Sequence, residues 1–89
     1  MSYQVAFEIE AINDLDRLTS VIRKRIINKI EWLSLNNEQI SHLPLTGQWS
    51  SFYKLRAGDY RIIYELNRGE SLITIIRIGH RREIYKIEN

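Results

Sequence analysis

The sequence predicts an α+β domain in which a helical hairpin covers one face of a small, mostly antiparallel sheet, in the order β-α-α-β-β-β with a short strand possible at the end. Three observations carry this. Residues 3–9 follow a period of two, with the large apolar side chains on one face. Residues 11–34 switch to apolar steps of three and four. From residue 52 onward, β-branched and aromatic runs are separated by glycine-bearing turns.

Tyr3, Val5, Phe7 and Ile9 face one way and Gln4, Ala6 and Glu8 the other, which is the pattern of a strand. Ile12, Leu15 and Leu18 then mark a short helix over 11–18. Thr19 and Ser20 are N-cap residues for a second helix, whose stripe Ile22, Ile26, Ile30 and Leu33 is a core face about four turns long. So tight a junction makes the two helices a hairpin. Asn36-Asn37 ends the second helix, and 35–50, with the only proline and a glycine, reads as a loop crossing back to the sheet. Phe52–Ala57 and Tyr60–Leu66 flank Gly58-Asp59, a two-residue loop of the II′ kind. A second hairpin turns at Asn67-Arg68-Gly69-Glu70. The run Ser71–Ile78 is fit for a central strand. Gly79-His80-Arg81-Arg82 breaks it, and 83–87 reads as the possible last strand.

At 89 residues the chain is one domain, 1–89, with no repeat or linker. It has no cysteine, so disulfides, thiolate nucleophiles and cysteine-held zinc are excluded. No apolar run approaches the roughly 20 residues of a membrane span, and the first residues do not resemble a signal peptide. The expected compartment is the cytoplasm, with no membrane partner. The glycines are isolated, the two histidines lack metal-ligand spacing, and no serine triad is marked, so neither metal nor cofactor is expected.

Charge is uneven. Residues 1–47 hold five basic against six acidic residues, and 48–89 hold eight against five. The basic excess is mostly arginine, whose fork binds two phosphate oxygens at once. A two-residue turn at Gly58-Asp59 pairs Arg56 with Arg61, Leu55 with Ile62 and Tyr53 with Tyr64. Tyr53, Leu55, Ala57, Tyr60, Ile62, Tyr64 and Leu66 then form one face, which meets the helices. Phe52, Lys54, Arg56, Arg61, Ile63 and Glu65 form the other. Like charges directly opposite in a sheet are destabilising, and Arg56/Arg61 with Lys54 beside them suits a bound anion. Arg81 and Arg82 add a second basic cluster. Histidine as a residue type can shuttle protons, which makes His80 an acid–base candidate, and Tyr85 can stack on a base or bond a phosphate. His42, beside Pro44, reads as structural or exposed. A cationic set of Lys, Arg, His and Tyr suits anion binding, and also phosphodiester cleavage in which RNA supplies its own 2′-hydroxyl.

The segment Tyr53-Lys54-Leu55-Arg56-Ala57-Gly58-Asp59-Tyr60-Arg61-Ile62-Ile63-Tyr64, followed by Ile78-Gly79-His80-Arg81-Arg82-Glu83-Ile84-Tyr85, resembles the RelE family within the RelE/ParE toxin superfamily. Leu45-Thr46-Gly47, Trp49 and the β-α-α start also fit. The resemblance implies a toxin of a type II toxin–antitoxin pair that cuts mRNA on the ribosome without metal. It implies a RelB-like, DNA-binding antitoxin as inhibitor, with operator DNA reached only through that antitoxin. By resemblance Lys54 is the catalytic lysine, Arg61 stabilises the phosphate, Arg81 assists the leaving 5′-oxygen and Tyr85 orients the substrate. Arg56 and Arg82 support RNA binding. Phe52 stands where the best-known members carry a second lysine, and offers a surface for a base or a partner. ParE-type toxins, which share the fold and act on DNA gyrase, are the alternative. An inactive toxin serving only as antitoxin-binding co-repressor is another.

Overall fold

The β-branched run of the second half does become the interior of the sheet. In the computed structural model, which describes residues 2–84, strand β5 (Leu72–His80) lies between β1 (Gln4–Phe7) and β4 (Tyr60–Asn67). The sheet order is β1-β5-β4-β3-β2, with β3 at Tyr53–Ala57 and β2 at Leu43–Pro44. β1 runs parallel to β5 and every other pair is antiparallel. The predicted α+β class therefore holds. The short β2 adds an edge to the segment expected to be loop, and its proline sits where no inner neighbour needs its missing N–H.

The hairpin of β3 and β4 has the expected register, pairing Ala57 with Tyr60, Arg56 with Arg61 and Leu55 with Ile62. Gly58 has φ +62°, which a two-residue turn of this kind requires at its first position. Gly58→Ala is expected to lower stability by about 1–2 kcal/mol, because Cβ crowds the carbonyl in this region; denaturant unfolding measures it. The second turn closes one residue later than expected. Asn67 Oδ1 accepts from the Glu70 N–H at 3.0 Å, and Ser71 adopts φ 53°, so β5 begins at Leu72.

Helices α1 (Ile9–Asp16) and α2 (Ser20–Asn36) cover one face. Thr19 caps α2, its side chain accepting from the Ile22 N–H. The Arg23 side chain reaches back, donating to the Leu15 carbonyl at 2.9 Å and the Leu18 carbonyl at 2.8 Å. It thereby satisfies carbonyls that the end of α1 leaves open, and α1 spans 9–16 rather than 11–18. The buried stripe shifts with it. Ala11, Asp14 and Leu15 face inward, whereas Ile12 is 42% exposed and Ile9 lies on the helix rather than the strand face. Ile26, Ile30 and Leu33 of α2 meet Ile62, Tyr64, Ile73, Ile75 and Ile78 of the sheet, and Ile22 packs at the edge of this core.

The end of the chain departs most from expectation. β5 continues through Gly79 and His80, and Arg81–Ile84 form a short helix, α3. Glu83 and Ile84 are thus helical rather than the start of a strand, and 85–87 lie outside the described residues. α3 folds onto the sheet face away from α1 and α2. There Ile84, Leu45 and Ile63 make a second small core with Trp49, Phe52 and Ile76. Among the described residues no helix is long and apolar enough to cross a membrane.

His42 proves structural. Its Nε2–H donates to the Asn37 carbonyl at 2.7 Å, an acceptor only, so Nδ1 receives the Tyr64 hydroxyl. Burial raises the Tyr64 phenol above its ordinary pKa, which keeps it a donor.

Candidate functional site

The site grows from the β3–β4 hairpin. Its register places Arg56 directly opposite Arg61, with Cβ atoms about 5 Å apart by strand geometry. Lys54 sits two residues along on the same face, between Leu43 of β2 and Ile63 of β4. Lys54 and Arg61 are half-buried and Arg56 is exposed. The low-dielectric floor beneath the row is the second core, to which Ile63 belongs.

Arg61 is held by the turn. Its Nη1 donates to the Gly58 and Tyr60 carbonyls, each at 2.9 Å. The same turn fixes the start of α3, because the Arg81 N–H donates to the Asp59 carbonyl at 2.8 Å. Arg81 Nε lies 3.9 Å from Asp59 Oδ1, with both side chains largely exposed. A tight turn thus ties together two guanidinium groups that are 20 positions apart in the chain. Gly79, opposite Arg61 in the sheet, makes room for the fold-back. A Cβ there would lie 3.3 Å from Ile84 Cδ1.

The structure therefore brings Lys54, Arg56, Arg61 and Arg81 to one end of one face, and Arg82 follows on α3, exposed. Phe52 lies on that face too, but its ring belongs to the second core, 5.7 Å from the Trp49 ring. His80 is not brought to the row. It pairs with Tyr60, whose side chain faces the helices, and its ring meets the Tyr60 ring edge-on at 5.5 Å. Its Nδ1 accepts from the Arg82 N–H at 3.2 Å. Tyr85 lies outside the described residues.

His80 instead borders a cleft of about 520 Å³ at the end of β5, between α1 and α3, lined also by Asp14, Leu18, Tyr60, Arg77 and Glu83. Its base is a buried carboxylate that sequence reasoning missed. Asp14 is 7% exposed and accepts from Arg77 Nε at 2.8 Å, Arg77 Nη2 at 3.3 Å and the Ile78 N–H at 2.9 Å. The hydrogen bond that Arg77 donates to the Asp14 carboxylate raises the Arg77 pKa above its ordinary value. A signal existed, since Asp14 stands within the apolar run Ala11, Leu15, Leu18 at helical spacing.

The family described as the ParE toxin of the type II toxin–antitoxin system parDE matches residues 5–85. The chain is 31% identical to the toxin RelE of Mycobacterium tuberculosis over 96% of its own length and 88% of the relative's. It is 35% identical to the toxin RelE3 of Methanocaldococcus jannaschii, covering 92% and 94%. Among solved structures it is similar to the toxin–antitoxin complex RelBE2 of M. tuberculosis, with TM-score 0.83, 25% identity and coverage of 93% and 95%.

Proposed function

This chain belongs to the RelE family of the RelE/ParE superfamily and is a toxin of a type II toxin–antitoxin system, and from that premise we propose that it is a ribosome-dependent mRNA endoribonuclease. The observation that supports this most is the cationic row Lys54–Arg56–Arg61 with Arg81 tied to the same turn. Such a row is costly in a sheet unless an anion fills it, and a phosphodiester is the anion it fits.

In the proposed reaction the ribose 2′-oxygen attacks the adjacent phosphorus. The 2′-O–P bond forms, the P–O5′ bond breaks, and the products carry a 2′,3′-cyclic phosphate and a 5′-hydroxyl. Lys54 serves the 2′-hydroxyl as base or phosphate clamp. Arg61, held by its turn, meets the charge that develops on the phosphorane oxygens, so little reorganisation is needed as the barrier is crossed. Arg81 stabilises the departing 5′-oxygen, and Tyr85 orients the substrate. Arg56 and Arg82 hold the backbone on either side, and Phe52 borders the path of the strand. His80, on the other face, takes no proton in this scheme.

The ribosome holds the codon in line for attack, and the cytoplasm is the place of action. A DNA-binding, RelB-like antitoxin is the proposed inhibitor, supported by the similarity to a toxin–antitoxin complex, and it carries the pair to operator DNA.

Primer extension on mRNA from an in-vitro translation reaction locates the cut, and end analysis identifies the chemistry. The expected 3′ end is a cyclic phosphate or its 3′-phosphate hydrolysis product. A 3′-hydroxyl overturns the internal-attack mechanism. Intact mRNA together with gyrase-dependent DNA breaks selects the ParE-type activity instead, and intact mRNA without them leaves only the antitoxin-binding co-repressor.

A further inference from the structure

Opposite its core stripe, helix α2 exposes an apolar residue near each end of a second line, with an amide between them. Opposite Ile26, Ile30 and Leu33, the residues Val21, Asn28 and Leu35 recur every seven positions, so they lie almost in line on the outer side. Val21 is 68% exposed and Leu35 60%. Trp32 lies on one flank of this line, 38% exposed, with Lys29 Nζ 4.0 Å over its ring. Lys24 and Glu31 lie on the other flank, and both are exposed.

We propose that this outer face of α2 binds a second copy of the chain, helix against antiparallel helix, about a two-fold axis at Asn28. A two-fold interface sets each residue against its reflection through the axis. With Asn28 on the axis, Val21 and Leu35 are both seven residues away, so Val21 of one copy meets Leu35 of the other, twice. Such an axis keeps each flank facing the same flank of the partner. Lys24 therefore faces Glu31 of the other copy, offset by about 1.5 Å along the helices. The Trp32 flanks close the other side. The central amides pair with each other. The single positive and single negative group on one flank, nearly equidistant from the axis, select a second copy rather than a uniformly charged surface. Four turns of helix bury less than the roughly 1,200–2,000 Å² of a stable complex, so the dimer is weak and transient.

The chain has no cysteine, which makes the register directly testable. Asn28→Cys, on the axis, should form a disulfide-linked dimer under mild oxidation at on the order of 100 µM protein, since helices in contact bring such Cα atoms within bridging range. Val21→Cys alone should stay monomeric, and mixed with Leu35→Cys it should give the crossed dimer. By sedimentation velocity, Lys24→Glu and Glu31→Lys should each weaken association about tenfold, two attractions becoming two repulsions. The double exchange should restore it. Wild type that remains monomeric, Val21→Cys that links to itself as readily as Asn28→Cys, or a double exchange as weak as the singles overturns the proposal. So does a loss of antitoxin binding in the single variants without any self-association, which would assign the face to the antitoxin.

Discussion

Arg61→Ala is expected to lower mRNA cleavage by about 10²–10³-fold, and Arg81→Ala by a similar factor, each a loss of about 3–4 kcal/mol of transition-state stabilisation. The expectation for Arg61 rests on its preorganisation. Hydrogen bonds to the Gly58 and Tyr60 carbonyls place the guanidinium on the β3–β4 turn before any substrate arrives. For Arg81 it rests on the Asp59 contact that ties α3 to the same turn. Single-turnover cleavage on programmed ribosomes gives the rate, and a thermal melt gives the fold. Stability should stay within about 1 kcal/mol of the wild type for Arg61→Ala. Removing a like charge opposite Arg56 helps, and losing two partly exposed hydrogen bonds to the turn offsets it. A folded Arg61→Ala protein that cuts at the wild-type rate refutes the site.

Asp14→Ala is expected to be the most damaging single change to stability outside the apolar core, at about 2–3 kcal/mol. The substitution strands the buried Ile78 N–H and leaves Arg77 without its carboxylate. The figure lies below that for a fully buried pair because the Arg77 side chain is 36% exposed and water screens it. For a domain of this size, that is roughly 10–20 °C in the melting temperature. Asp14→Asn should fall between, since it keeps one acceptor oxygen but turns an amide toward a cation. Urea unfolding measures both. Cleavage per folded molecule should be nearly unchanged, because Asp14 lies on the helix side of the sheet and the cationic row on the other. A loss below about 0.5 kcal/mol for Asp14→Ala would mean that the edge of β5 is satisfied in some other way.

The parts of this protein that its sequence determined are those set by nearest neighbours. A two-residue turn with glycine first leaves one register for β3 and β4, so the Arg56–Arg61 pair and the two faces of the hairpin were readable at once. Isoleucines at helical spacing named the inner face of α2, and the β-branched run named the inner strand. The tertiary structure alone decided which distant groups meet. Asp14 and Arg77 are 63 residues apart, and they pair because β1 ends at Phe7 and leaves the far end of β5 open for a carboxylate to reach the Ile78 N–H. The side of the sheet that His80 takes follows from β5 running on past Gly79, which a reading of glycine as a strand breaker misses. Gly79 is instead the point of close approach that lets Ile84 fold back against the sheet and complete a second core with Leu45 and Ile63. Local rules govern turn and period because a few adjacent dihedral angles set them. Long-range pairings depend on where each strand stops, and the burial of the whole chain settles that.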